Sequence, residues 1–190
     1  MRKLVLQMNY SLDGFISARE DKSDGTGWAM GYSGDPALAK YFVQYVSGVG
    51  AHLMGSATYR VMAAYWPTST NPYAPPMNQI PKIVFSRSMK QEQATWPETR
   101  VLSGDLAQEV ESLKQGPGKD LLAHGGVRFA HALIKTGLVD EYRLMVHPVA
   151  LGSSSEHEPL FPELISPLHL KLVDSVTCES GTTVKIYRPA

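Results

Sequence analysis

Apolar and polar positions change period repeatedly along this chain, and the changes mark its elements. Lys3 to Tyr10 (KLVLQMNY) alternate in part and predict a strand. Ser11-Leu12-Asp13-Gly14 supplies a turn, and Phe15-Ile16-Ser17 reads as a short continuation of that strand. Asp35-Pro36 predicts a helix start, with Asp as N-cap and Pro at the first helical position. That helix runs through Leu38, Phe42, Tyr45 and Val46 and stops near Gly48. A strand over Ala51–Met54 meets Gly55-Ser56-Ala57-Thr58, and a helix follows through Tyr59, Met62 and Ala63. Ile83-Val84-Phe85 is a short strand closed by Ser86-Arg87-Ser88. Leu106 to Lys114 is amphipathic, with Leu106, Val110 and Leu113 on one side, and Gly116-Pro117-Gly118 breaks it.

The same strand, glycine turn and helix recur in the stretch from Lys119 to Gly152. Leu121-Leu122-Ala123 meets the pair Gly125-Gly126, and Val127, Ala130, Leu133, Ile134 and Leu138 follow at helical spacing. Gly137 is placed to end that helix in the left-handed conformation. An apolar run from Tyr142 to Leu151 starts the next strand, and strands over about 168–175 and 182–188 close the chain around a Ser180-Gly181 turn. Three stretches read as loops: a polar, glycine-rich one over 18–34 that carries Trp28 and Met30, one from Pro67 to Pro81, and one from Ser153 to Pro159. A loop as long as 18–34 inside a compact domain is often functional, for instance a substrate lid. Strands alternate with helices for two-thirds of the chain and dominate its end. The expected fold is α/β, with a mostly parallel sheet and an antiparallel edge. Ligands then belong at the carboxyl ends of the strands.

Composition narrows the function more than the fold. At 190 residues the expectation is one domain, 1–190. The formal net charge is zero, so no basic surplus points to nucleic acid and no acidic tail appears. The single cysteine, Cys178, excludes an internal disulfide framework and has no Cys or His companions at zinc spacing, so no metal site is expected. No run approaches the roughly 20 apolar residues of a membrane span. The expectation is a soluble cytoplasmic protein that acts on a small molecule, without nucleic-acid or membrane partners.

Three strand ends carry groups suited to phosphate. Gly55-Ser56-Ala57-Thr58 offers helix N-terminal N–H groups and two hydroxyls. Ser86-Arg87-Ser88 offers two hydroxyls and a guanidinium, whose fork matches phosphate oxygens. Gly125-Gly126 offers close backbone approach, although the same pair also serves helix–sheet packing. Together they favour a nucleotide site, and spacing alone does not say which nucleotide.

Four segments then carry a resemblance: MRKLVLQMNYSLDGFIS, LMGSATYRVMAAYWP, PKIVFSRSM, and LLAHGGVRFAHALIKTGLVDEYRLMVHPVALG with a later PLF. In this order, over nearly the whole chain, they resemble the dihydrofolate-reductase-like superfamily. The nearest branch is the C-terminal reductase domain of bacterial riboflavin biosynthesis proteins and its stand-alone relatives. The resemblance implies a three-layer α/β/α sandwich and a homodimer built on the late strands. It also implies NADPH and hydride transfer to a pteridine-like or pyrimidine-like ring. It puts Met8 and Asn9 beside nicotinamide and substrate, and Asp13, Gly14 and Ile16 over the nicotinamide ribose. Gly55, Ser56 and Thr58 become the pyrophosphate-binding helix start, Ser86 and Arg87 the adenosine-phosphate loop, and Gly125, Gly126 and Val127 the second pyrophosphate turn. The alternative is a non-catalytic nucleotide- or pteridine-binding homodimer of the same fold.

The chain departs from the family pattern in two places that bear on function. Ser56 stands where relatives carry Arg, with Arg60 one turn on, and a longer loop, Gly152 to Pro159, replaces a short glycine turn. No deaminase partner domain is present in the sequence, which favours a stand-alone relative over the pathway enzyme. Reducing a C=N bond requires a proton at nitrogen as well as hydride at carbon. Asp35 is the candidate acid, in a position loosely like the substrate-binding acid of dihydrofolate reductases, and it also reads as a helix N-cap.

Overall fold

A computed structural model describes residues 1–17, 27–32, 34–152, 157–161 and 164–190. Much of the expected lid over 18–34, part of the 152–159 loop and Pro162 lie outside those residues.

The elements follow the hydrophobic pattern. β1 (Leu4–Ser11) leads through a turn to β2 (Phe15–Ser17). A 3-10 turn over Gly27–Tyr32 precedes α1 (Pro36–Val46). β3 (Ala51–Gly55), α2 (Ser56–Tyr65), α3 (Ala74–Gln79), β4 (Lys82–Phe85), β5 (Thr99–Leu102) and α4 (Leu106–Gln115) come next. β6 (Leu121–Ala123), α5 (Val127–Thr136), β7 (Glu141–His147), β8 (Glu158–Pro159), β9 (Leu170–Thr177) and β10 (Thr183–Pro189) complete the chain. Gly137 caps α5 at φ 70°, as its position predicts.

One eight-stranded sheet runs β5-β4-β3-β6-β1-β7-β10-β9. Its first six strands are parallel, and β10 and β9 add an antiparallel edge. β1 is central, and both of its faces are covered, which is why Leu4-Val5-Leu6 is apolar without a break. Leu4, Leu6 and Met8 face α4 and α5 through Val110, Phe129, Ala130 and Leu133. Val5, with Met54, Val84 and Leu122, faces the opposite layer, which carries Val46 of α1, Tyr59 of α2 and Met77 of α3. Truncating any of these fully buried leucines to alanine should cost about 2–5 kcal/mol.

Three elements differ from the sequence reading. Phe15–Ser17 does not continue β1; it leaves the main sheet and pairs with β8. The Pro67–Pro81 stretch contains α3, whose two prolines sit in its first turn, where their missing N–H groups cost no helical bond. β5 has an exposed Arg100 between partly buried neighbours, the pattern of an edge strand, and its polar Thr-Arg start hides it from a hydrophobic scan.

Candidate active site

Two helix N-termini meet where the parallel strands end. Gly55 is the N-cap of α2 and Gly126 that of α5, and neither helix has a side-chain cap. The first N–H groups of a helix have no intrahelical partner, so this junction holds a set of donors and positive dipole ends suited to an anion. Thr58 Oγ1 donates to the Gly125 carbonyl at 3.2 Å and ties the two starts together. Gly125 and Gly126 both adopt positive φ, +75° and +81°. A Cβ at Gly125 would collide with Met8 Sδ, and one at Gly126 with Thr58 Oγ1. The closeness that the glycine pair suggested is therefore a steric requirement at Gly126, and at Gly125 the neighbour is the movable end of Met8. The bare N–H groups at these two helix starts fit a pyrophosphate.

The other expected residues separate into those near this junction and those spent elsewhere. Met8 is buried beneath Gly125, and Ser56 and Val127 are the first residues of their helices. Ser86 Oγ accepts from the backbone N–H groups of Ser88 and Met89, so it builds its own turn and keeps one hydroxyl proton to donate. Arg87 beside it is exposed. Gly14 has φ +98° in the turn after β1. Asp13 is exposed and accepts from Ser11 Oγ and from the backbone N–H groups of Leu151 and Gly152. Burial acts upward on its carboxyl, but these hydrogen bonds prevail and lower it. Asp13 thereby fastens the loop after β7 to the turn after β1. The Ile16 side chain is fully buried in the core, so any ligand contact at that position is made by backbone.

Asp35 is the N-cap that its place before Pro36 predicts. Its Oδ1 accepts from Ala37 N at 2.8 Å and Leu38 N at 3.1 Å, and its Oδ2 from Ser180 N at 2.6 Å. Hydrogen bonds from Ser180, then those from Leu38 and Ala37, outweigh burial and hold the carboxyl down at about 2. Asp35 is the cap of α1, and a carboxylate so held down is ionised near neutrality, which argues against a proton-donating role.

Two histidine constellations form only in the folded chain, one of them around His124, the residue that sequence reads as a packed strand position beside the glycine pair. His147, at the end of β7, lies with Nε2 3.0 Å from Asn9 Oδ1 and Nδ1 3.0 Å from Thr182 Oγ1. Tyr32 stacks on its ring at 4.7 Å and Trp28 meets it edge-on at 5.7 Å. Burial pushes this imidazole down to about 4, so it is neutral. The second is His52 with His124, joined Nδ1 to Nε2 at 2.8 Å behind the glycine pair. Burial lowers both, His52 to about 4. The available signal was a histidine standing in an otherwise apolar strand end, at His52, at His124 and at His147.

A mostly parallel sheet in this order, with an antiparallel edge, is the dihydrofolate-reductase-like fold. The chain belongs to the RibD C-terminal domain family, whose model matches residues 2–184. The uncharacterized protein YyaP of Bacillus subtilis (strain 168) is 30% identical over 193 residues, covering 98% of this chain and 94% of YyaP. Among solved structures, a protein of Shewanella sp. PV-4 assigned to riboflavin biosynthesis superposes with a TM-score of 0.77 at 23% identity, covering 99% of both chains. Acinetobacter baumannii RibD gives 0.66 at 19% identity, over all of this chain and 58% of RibD. Dihydrofolate reductase from Enterococcus faecalis, complexed with NADP(H), gives 0.62 at 16% identity, over 98% and 96%.

Proposed function

We propose that this protein is an NADPH-dependent reductase that transfers a hydride to a small pteridine-like, pyrimidine-like or related heterocycle. The observation that carries the reading is the junction of two helix N-termini, at Gly55 and Gly126, neither with a side-chain cap, held together by Thr58 and Gly125. Gly55, Ser56, Thr58 and the glycine pair hold the pyrophosphate, and Ser86 and Arg87 hold the adenosine phosphate. Met8, Asn9, Asp13 and Gly14, with the backbone at Ile16, border the nicotinamide side. The bound cofactor supplies a hydride from its reduced nicotinamide ring. The chain's own part is to bind, orient and exclude water. With Asp35 held ionised, the proton for substrate nitrogen comes by way of water.

The protein works in the cytoplasm as a homodimer in this reading. β9 supports the dimer: it is an eight-residue edge strand with Leu172 and Val173 exposed, an edge that proteins normally cover. NADPH binding is tested by calorimetry on the purified protein, and no saturable heat would reject the reading. Tight binding with no turnover across pterin, flavin-precursor and quinone panels would favour a non-catalytic binding protein of the same fold.

A further inference from the structure

The helix junction at Gly55 and Gly126 lies at the carboxyl ends of the parallel strands. A separate cavity of about 350 Å3 opens towards their amino ends, beside the last turn of α1. Tyr41 and Tyr45 of α1, Val49 before β3, Asp120 before β6 and Arg143 of β7 all line it. The two tyrosine rings lie within 20° of parallel, and with the buried Val49 they supply its apolar wall.

Arg143 gives the cavity a cation. Its Nε donates to Glu141 Oε1 at 2.7 Å, its Nη1 donates to Tyr41 Oη, and its guanidinium lies 3.5 Å from the centre of the Tyr45 ring. Among the described residues nothing accepts from Nη2. Glu141 does not answer Arg143 alone, because its Oε2 takes Arg188 Nε and Nη2 at 3.0 and 2.9 Å. Two guanidinium groups thus share one buried carboxylate, which leaves a positive charge to be met by an anion. The Tyr45 hydroxyl is buried with no hydrogen-bond partner. Burial pushes it up, so it stays a neutral O–H that can donate. An orphaned buried polar group is costly and is usually met by a ligand or water.

The same cavity also carries groups that attract a cation. Asp120 Oδ1 accepts from Lys3 N at 2.9 Å, and among the described residues nothing donates to Oδ2. Arg2 is the nearest counter-charge, and its Nε is spent on the Lys119 carbonyl at 2.6 Å. α1 ends here too, with no basic residue in its last turn to offset the negative end of its dipole. A plain carboxylate leaves Asp120 unanswered, and a plain amine leaves Arg143 and Tyr45 unanswered. A zwitterion answers all three.

We propose that this cavity is a second ligand site, apart from the reductase site, and that it takes a free amino acid. The carboxylate lies on Arg143 Nη2 and the Tyr45 hydroxyl, the ammonium at Asp120 and the end of α1, and the side chain against the tyrosine rings and Val49. Occupancy here needs no nicotinamide cofactor.

The test titrates the standard L-amino acids one at a time into the full-length protein by calorimetry, with and without saturating NADPH. At least one should bind saturably, and NADPH should not compete with it. The tightest is then compared with its deaminated carboxylic acid and its decarboxylated amine. Each should bind about tenfold more weakly or worse, the scale of one lost charge-assisted contact. Asp120→Asn keeps an oxygen for Lys3 N, and it should weaken the amino acid about tenfold while leaving the carboxylic acid unchanged. Tyr45→Phe removes only the hydroxyl, and it should weaken the amino acid and the carboxylic acid while leaving the amine unchanged. The Arg143 side-chain signals in a 15N spectrum should shift on adding the amino acid, which reads the guanidinium without removing it from Glu141. Absence of saturable binding by any amino acid overturns the proposal. So does a carboxylic acid that binds as tightly as the amino acid, which would make this a plain anion site. Competition by NADPH overturns it by placing the amino acid at the cofactor junction. Wild-type affinity for the amino acid in either variant overturns it too. Failure of NADPH to bind while the amino acid binds would reject the cofactor reading alone.

Discussion

Thr58 Oγ1 lies against the Gly125 carbonyl and directly in the path of any Cβ at Gly126. The two glycines therefore differ in what replacement should do. At Gly125 the obstacle is the end of the flexible Met8 side chain, which can move. At Gly126 it is a β-branched hydroxyl held by its own hydrogen bond. Gly126→Ala should destabilise by about 1–3 kcal/mol through positive φ and this clash, and Gly125→Ala by about 1 kcal/mol through φ alone. Both should weaken NADPH by more than they lower stability. Adding Thr58→Ala to Gly126→Ala should recover the steric part, which urea melts and calorimetry on the double variant would read.

Arg87 is exposed at the turn after β4, so its removal should leave stability within about 0.5 kcal/mol. Losing a charge-assisted contact to the adenosine phosphate should weaken NADPH about tenfold or more. NADH, which lacks that phosphate, should bind Arg87→Ala as it binds wild type. Equal losses for both cofactors would reject the assignment.

Asp35 separates a structural carboxylate from a catalytic one. Asp35→Ala removes acceptors from Ala37, Leu38 and Ser180 and should cost about 1–2 kcal/mol or more. Asp35→Asn keeps an N-cap oxygen and should retain most of the stability. It should also retain whatever reductase turnover the wild type shows, and a folded Asp35→Asn protein without turnover would return the acid role to this residue.

Burial holds His52 and His147 down at about 4, and it holds His124 well below the ordinary imidazole range. The unfolded chain takes up these protons near pH 6.5, and the native chain resists them until about pH 4 at His52 and His147 and well below the ordinary range at His124. Stability should therefore be full above pH 6.5 and fall as the pH drops from there towards 4. The slope is at most about 1.4 kcal/mol per pH unit for each histidine. Denaturant melts between pH 7 and 4.5 read it, and a flat profile would show that these rings are not buried neutral.

The open edge of β9 gives the dimer its own test. Val173→Lys places a charge in the exposed centre of that strand, a substitution that blunts edge pairing. Light scattering should show dimeric wild type and monomeric variant, and the melting temperature of the variant should no longer depend on protein concentration. A variant still dimeric would move the interface elsewhere.

What the sequence determined by itself was local. Asp35-Pro36 starts α1 and Gly137 ends α5 because caps act within one helical turn. The two strand–glycine–helix junctions were legible because period and glycine placement are properties of neighbouring residues. The sequence reading was weaker where an element's pattern was interrupted: polar residues at the start of β5 and prolines in α3 concealed both. Tertiary structure alone decided the partners. His147 meets Asn9 across 138 positions because the sheet sets β7 beside β1, and His124 meets His52 across 72 because it sets β6 beside β3. It also decided that Asp35 is a cap held on its far side by Ser180, 145 residues later. Hydrophobic periodicity says which face of a strand is buried but not which strand lies next to it. The chemistry of this site depends on that adjacency.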